Sequence, residues 1–156
     1  MISKDAFARE VRQLTDTAFA VSYLILGNGA DSEDAMSEAI LRAYEGRGKL
    51  KKRESFRAWF LQILRREAYN VLRRRKRVSP VEERPEGPAP ERDDAGRLDL
   101  QAALKRLTED QRTALLLQQE GYELSEIGQA LDVPVGTVKS RIFRAKKTLR
   151  DLLEVN

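Results

Sequence analysis

Apolar residues recur at helical spacing along most of this chain of 156 residues, and no stretch shows the alternation of a strand. In the first half the pattern predicts helices over 3–26, 32–46 and about 55–77. Gly27-Asn28-Gly29 ends the first helix, and Gly46 ends the second. Ser32 is the predicted N-cap of the second helix. We therefore expect an all-α fold.

The second half predicts four further helices. Residues 98–107 form a short helix, and Thr108-Glu109-Asp110-Gln111 fits a capping box for the next one, which stops at Gly121. Ser125 is expected to cap a two-turn helix over 126–131. Pro134 forces a turn, and a last helix covers about 135–153. A short helix, a tight turn and a longer helix make a helix-turn-helix.

Residues 79–97 separate the two halves by composition. They hold four of the five prolines, are acidic, and offer almost nothing to bury. This composition predicts a flexible linker between a first domain at 1–78 and a second at 98–156. Each domain is small but long enough for a helical core.

Composition also excludes several kinds of chemistry. The absence of cysteine and histidine rules out disulfides, thiolate nucleophiles, Cys/His zinc sites and histidine acid–base catalysis. We expect no cofactor and no metal. The amino-terminal residues are charged throughout, and no apolar run approaches ~20 residues, so we expect a cytoplasmic protein. A small nuclease is disfavoured because the acids cluster in the linker or on exposed helix faces.

The positive charge is concentrated in one segment. From Arg47 to Arg77 there are 13 Lys and Arg residues but only two acids. Within the third helix a polar stripe recurs at i, i+4, i+7, i+8 and i+11, formed by Arg66, Asn70, Arg73, Arg74 and Arg77. So many guanidinium groups on one face repel each other, and a phosphate backbone would relieve that repulsion. Trp59 and Tyr69 are the candidate aromatic side chains for stacking on a base that is displaced from the duplex. For Trp59, core packing is the favoured interpretation.

The last helix has the composition of a DNA-recognition helix. Ile127, Leu131, Val133 and Val138 are spaced to pack it against the preceding helix, and Gly128 allows close approach. Its first turns would then face base edges in the major groove. The candidate DNA contacts are Thr137, Lys139, Ser140, Arg141, Phe143 and Arg144, with Lys147 one turn later and better suited to phosphate. For Phe143, core packing is an equal alternative.

The stretch LTEDQRTALLLQQEGYELSEIGQALDVPVGTVKSRIFRAKKTLRDLL resembles region 4 of bacterial RNA polymerase sigma factors, particularly the extracytoplasmic-function (ECF) group. ADSEDAMSEAILRAYE and FRAWFLQILRREAYNVLRRRKR resemble sigma region 2. The resemblance implies a two-domain subunit without catalysis of its own. Such a subunit binds core polymerase, recognises the −35 and −10 promoter elements and helps to open the DNA. In the second stretch Arg66 stands where the family commonly has Asn, and Asn70 where it commonly has Asp. Because these departures add positive charge, the family's preference for a −10 sequence does not carry over directly to this chain.

The resemblance also implies roles for particular residues. The second helix would dock on the clamp coiled coil of the polymerase β′ subunit through Asp34, Glu38, Leu41 and Arg42, although an acidic stripe is more often simply solvent-facing. The β flap of polymerase is a further implied contact. The −10 set would comprise Trp59, Arg65, Arg66, Tyr69, Asn70, Arg73, Arg74 and Arg77. An anti-sigma factor, often held at a membrane, is the implied regulatory partner.

One alternative stays open at this point. A stand-alone helix-turn-helix regulator would bind operator DNA as a dimer, without polymerase, and would protect symmetric half-sites.

Overall fold

The computed structural model of the protein describes residues 1–51, 54–78 and 99–154. Within these ranges the chain is helical and contains no strand, which confirms the all-α prediction. The predicted linker at 79–97 lies outside them. The helices are α1 (Lys4–Leu26), α2 (Gly29–Glu45), α3 (Phe56–Val78), α4 (Leu100–Lys105), α5 (Glu109–Gln119), α6 (Leu124–Leu131) and α7 (Val135–Leu153), with a 3-10 turn at Arg47–Lys49.

Helices α1, α2 and α3 pack around one apolar core. The inward face of α2 consists of the fully buried small residues Ala35, Ala39 and Ala43, which let its backbone approach the neighbouring helices closely. Larger side chains from α3, among them Phe60 and Leu64, fill the space between the helices. Small and large residues thus alternate across the interface, as dense packing requires.

The start of α2 differs from its prediction. The N-cap is Asn28, whose side-chain oxygen accepts a hydrogen bond from the Asp31 amide at 2.8 Å. Ser32 is buried inside the helix, and its hydroxyl donates to the Asn28 carbonyl at 2.7 Å. The Ser32 cap was therefore wrong, because Asn28 fills the same capping role one turn earlier.

The start of α6 also lies earlier than predicted. The N-cap is Glu123, and the Glu126 carboxylate accepts a hydrogen bond from the Glu123 amide at 2.9 Å. Ser125 lies inside the first turn and does not cap the helix. The capping box at Thr108 and Gln111 is confirmed.

The turn between α6 and α7 is built as the sequence predicted. Ile127, Leu131 and Val138 are buried at the helix contact. Asp132 ends α6 in the left-handed conformation at φ 60°, which aspartate tolerates better than most residues. A Cβ on Gly128 would lie 2.8 Å from the Val133 carbonyl oxygen, so close approach at this position requires glycine.

We predict that Gly128→Ala destabilises the protein by about 1–3 kcal/mol, because the added methyl group overlaps a backbone oxygen. Urea unfolding followed by circular dichroism measures the change. Gly136→Ala is the matched control, since a Cβ there meets nothing within 4 Å. It should leave the stability unchanged or raise it by up to about 1 kcal/mol. Equal stabilities for the two variants would contradict the steric argument.

The two halves of the chain contact each other, which the sequence did not predict. Helix α3 packs against α6, and α1 touches α5. Buried apolar residues of both halves join in one cluster, from Phe60 and Leu64 of α3 to Ile127 and Ala130 of α6. In the described ranges no helix is long and apolar enough to cross a membrane.

Candidate nucleic-acid interface

Helix α7 presents its polar face to solvent at the amino-terminal turns. Val138, Ile142 and Ala145 are buried against the rest of the C-terminal half and fix the rotation of the helix. The opposite face carries the predicted DNA contacts. Of these, the exposed ones are Lys139, Ser140, Phe143, Arg144 and Lys147, and the half-buried ones are Thr137 and Arg141.

Phe143 does not pack in the core. Its side chain is 70% exposed, so core packing is excluded for this position. An exposed phenylalanine among cations suits apolar contact with a thymine methyl group. Two of the neighbouring cations have acidic partners, Arg141 with Asp110 at 3.3 Å and Lys147 with Asp151 at 3.3 Å.

A second cationic face runs along α3. Arg66, Arg73, Arg74 and Arg77 are exposed, and Asn70 lies half-buried among them, accepting a hydrogen bond from Arg73. The arginines of the predicted stripe are therefore accessible to solvent, and we refer to these five residues as the α3 stripe. Its cations are spaced along one helix edge, as contacts to successive phosphates require.

Trp59 has to be removed from the predicted DNA set. It is 9% exposed and packs beside Phe56, with ring centroids 5.8 Å apart. A buried indole in the core cannot stack on a displaced base without unpacking α3. Its position in the helix pattern already favoured the core, and that interpretation is confirmed.

Arg65 and Tyr69 do not lie on the free surface that the resemblance implied. Arg65 is buried and donates to Glu109 at 2.6 Å and to Asp110 at 2.8 Å. Burial lowers the Arg65 pKa, but the Glu109 charge and hydrogen bond outweigh it, so the net pKa is raised. The Tyr69 hydroxyl donates to Glu109 at 2.7 Å, and burial together with this bond raises its pKa to about 12. Both side chains are held by the C-terminal half.

The face of α2 that was predicted to dock on a protein is exposed in full. Asp34, Glu38, Leu41 and Arg42 all lie on the solvent side, and Leu41 is 53% exposed. The guanidinium Nε of Arg42 lies 2.7 Å from the buried carboxylate of Glu67 on α3, and this ion pair holds the Arg42 side chain in place.

Sequence reasoning missed a polar cluster between α3 and α6. Arg57 donates two hydrogen bonds to the Glu126 carboxylate, at 2.8 and 2.7 Å, and the Ser55 hydroxyl donates to it at 2.7 Å. Arg57 also lies over the Tyr122 ring, 3.9 Å from its centroid. The hydrogen bond from Arg57 is the main cause that lowers the Glu126 pKa to about 2. Residues about 70 positions apart have no periodicity that would reveal such a pairing.

Arg75 is a further residue that sequence reasoning missed. It donates to the Asp31 carboxylate at 2.7 Å and to the Leu26 carbonyl at 3.0 Å. These bonds tie α3 to the α1–α2 corner within the N-terminal half. The described part of the chain contains no group of acidic side chains arranged to hold a metal ion.

Comparison with protein families gives two matches that together cover most of the chain. A family model described as Sigma-70 region 2 matches residues 7–78, and one described as Sigma-70, region 4 matches residues 97–149. The first match includes most of α1 and all of α2 and α3. The second includes α4 to α6 and most of α7, with the exposed face of α7.

Curated proteins and solved structures agree with these matches. The chain is 35% identical over 155 residues to the ECF RNA polymerase sigma factor SigE of Mycolicibacterium smegmatis, covering 92% of this chain and 60% of that protein. It is 31% identical over 169 residues to the ECF RNA polymerase sigma factor SigW of Bacillus subtilis, covering 96% and 90%. The sigma factor RpoE of Bartonella quintana, solved in complex with the anti-sigma factor NepR, superimposes with a TM-score of 0.74 at 28% identity, covering 99% of both chains.

Proposed function

Because this chain belongs to the sigma-70 family and is an RNA polymerase sigma factor of the ECF type, we propose three contact surfaces for its work at promoters. The exposed face of α7 reads the −35 element. The α3 stripe meets the DNA backbone at the −10 element. The solvent face of α2 docks on core polymerase. The chain acts by binding alone, and the chemistry of RNA synthesis belongs to the polymerase.

The observation that carries this proposal is the exposed face of α7. Lys139 and Arg144 lie in solvent on the second and third turns of a helix whose opposite side is fixed in the core. Arginine and lysine can donate to the guanine O6 and N7 atoms, while Phe143 meets a thymine methyl group. A rigid helix with base-reading groups at its start is what major-groove recognition requires.

The α3 stripe supplies phosphate contacts rather than base readout. Its four exposed arginines, Arg66, Arg73, Arg74 and Arg77, release counterions when they meet the backbone. Asn70 is the stripe residue best suited to hydrogen-bond a base edge. With Trp59 in the core, Tyr69 is the aromatic of the predicted set that remains for stacking on an extruded base, once its bond to Glu109 is broken.

The docking face of α2 combines an apolar centre with a charged rim. Leu41 lies among Asp34, Glu38 and Arg42, an arrangement typical of protein interfaces. We assign this face to the clamp coiled coil of the β′ subunit, and the C-terminal half to the β flap, on the basis of family membership. The Glu67 carboxylate holds Arg42 in position for that contact.

An anti-sigma factor is the proposed regulatory partner. The Bartonella quintana relative was solved with one, and its superposition on this chain covers 99% of both chains. A protein that covers the α2 face or the α3 stripe would keep the chain from polymerase or from DNA.

Transcription with purified components tests the proposed function. The full chain is added to core polymerase, run-off transcripts are made from a library of genomic fragments, and their start sites are mapped. We expect transcripts from a small set of promoters that share −35 and −10 sequences. Failure to start transcription from any promoter overturns the proposal. A footprint of symmetric half-sites by the chain alone would instead favour the stand-alone regulator.

We predict that Leu41→Asp weakens binding to core polymerase by about 10-fold or more, because it places a charge at the apolar centre of the docking face. The dissociation constant is measured by fluorescence anisotropy with labelled chain and unlabelled core polymerase. Tyr23→Asp is the matched control, since Tyr23 is similarly exposed, at 47% against 53%, and lies on α1, to which no polymerase contact is assigned. Equal affinities of the two variants would remove the α2 assignment.

A further inference from the structure

The solvent face of α2 carries charges of both signs in a fixed order. Asp34, Glu38 and Arg42 follow one another at intervals of four residues, so they form one ridge along the helix. All three side chains are exposed, and the exposed Leu41 precedes Arg42 at the carboxyl-terminal end of this ridge. The ridge therefore has an acidic amino-terminal part and a cationic carboxyl-terminal part.

Arg42 has two acidic neighbours, and burial distinguishes them. Its Nε atom lies 3.9 Å from Glu38, and both side chains of this pair are exposed, so the pair contributes little in water. The same Nε atom lies 2.7 Å from Glu67 of α3, whose side chain is only 7% exposed. A buried carboxylate needs a compensating cation far more than an exposed one does. Glu67 therefore decides where the Arg42 side chain lies.

The nitrogen that Glu67 engages determines what remains of Arg42 for a partner. Nε is the guanidinium nitrogen next to the aliphatic stem, and the two terminal nitrogens carry the other N–H donors. Those terminal nitrogens form the fork that binds a carboxylate through two parallel hydrogen bonds. Arg42 remains 61% exposed although its Nε atom pairs with a buried group. The side chain is thus held at its inner end and accessible at its outer end.

Glu67 itself is not part of the docking surface. Its carboxylate is buried on α3, behind the exposed face of α2, and within the described residues Arg42 is the cation with which it pairs. A protein bound to the α2 face therefore meets the Glu67 charge only through the position of Arg42.

We propose that Arg42 binds a carboxylate of core polymerase in the bidentate form, that Asp34 and Glu38 meet polymerase cations, and that Glu67 is the positioning residue for the Arg42 contact. This inference rests on the proposed function, since it takes the α2 face as the docking surface. The order of charges along the ridge then sets the direction in which the partner lies across α2, because the reversed direction would bring like charges together. Holding Arg42 in place before binding also reduces the entropy lost when the complex forms.

Substitutions at Arg42 and Glu67 test this contact. The dissociation constant for core polymerase is measured by fluorescence anisotropy with the labelled full chain. Arg42→Ala should weaken binding by about 10-fold or more, as the loss of an arginine anchor at an interface does. Glu67→Gln keeps the shape of the side chain but loses its charge. It should weaken binding by about 2- to 10-fold, because Arg42 is then no longer ordered beforehand.

The double variant separates positioning from a merely structural role. With Arg42 already replaced by alanine, Glu67→Gln should cause no further loss of affinity, because Glu67 acts through Arg42. A structural role would weaken binding by a similar factor in both backgrounds. The double variant also leaves no unpaired charge in the core, so the comparison holds even if Arg42→Ala alone unfolds more easily. Native affinity of Glu67→Gln, or an additional loss in the double variant, overturns the role of Glu67.

Arg42→Lys tests whether the guanidinium fork is needed. Lysine keeps the charge and can pair with Glu67, but a single ammonium group cannot present a planar fork to a second carboxylate. We expect Arg42→Lys to lose nearly as much affinity as Arg42→Ala. Arg75→Lys is the matched control, since Arg75 also pairs at 2.7 Å with a carboxylate of the N-terminal half, that of Asp31, and lies outside the docking face. Its affinity should equal that of the native chain. Native affinity of Arg42→Lys, or equal losses in the two lysine variants, overturns the proposal.

Failure of this contact and failure of the docking face give different results. If Leu41→Asp weakens binding while Arg42→Ala and Arg42→Lys bind like the native chain, the docking face stands and the carboxylate contact is overturned. If neither Leu41→Asp nor the Arg42 variants change the affinity, α2 is not the docking face and both proposals fail.

Discussion

Replacing Arg73, Arg74 and Arg77 together by alanine is expected to lower the affinity of the polymerase–sigma complex for promoter DNA by roughly two orders of magnitude at physiological salt. All three side chains lie exposed on the α3 stripe. Each contact to a phosphate releases close to one condensed counterion, and the free energy of that release is lost with the contact. The loss should be similar for all promoters, because phosphate contacts carry little sequence information.

The salt dependence of binding isolates this effect. Promoter affinity is measured between about 50 and 200 mM salt, and the slope of log K against log salt should become shallower by about 2.7, or about 0.9 for each of three contacts. Lys4, Arg9 and Arg12, replaced together by alanine, provide a control of equal charge, because these residues lie exposed on α1. If that control changes the slope as much, the α3 stripe is not the phosphate-binding surface.

Helix positions were predicted well where a local signal marks both ends. The last helix was expected over about 135–153 and is found at Val135–Leu153, because Pro134 fixes its start. The first helix ends at Gly27, which has φ 77°. The two caps that were missed, at Asn28 and Glu123, each have a competing serine two to four residues later. Spacing alone does not decide which polar side chain turns back to the helix end.

The candidate surfaces were predictable to different degrees. The α2 face, the α3 stripe and the α7 face follow from helical periodicity, because each lies opposite a buried apolar side. Periodicity does not show which polar residues a second domain covers. Arg65 and Arg66 are neighbours in sequence, yet Arg65 is buried against α5 and Arg66 is exposed. That difference arises from tertiary contacts 44 or 45 residues away along the chain.

Lys139→Ala and Arg144→Ala are each expected to cost about 1–3 kcal/mol in recognition of the −35 element, which is about 5- to 150-fold in promoter affinity. Combined in one chain, the two changes should cost more than either alone and give the largest loss predicted for this protein. Both side chains are exposed on the recognition face of α7, while Val138 and Ile142 hold the helix in the core. The helix should therefore keep its place when the two polar side chains are shortened.

The expected loss depends on promoter sequence, which separates base reading from general charge loss. Transcription by polymerase with native chain or variant is compared on one promoter and on derivatives with single changes in the −35 element. Each variant should become insensitive to the base pair that its missing side chain read, while sensitivity at the −10 element stays the same. Lys105→Ala, which removes an exposed cation from α4 in the same half, should leave the whole profile intact. An unchanged −35 preference in the double variant would show that α7 does not read that element, whatever the total loss of affinity.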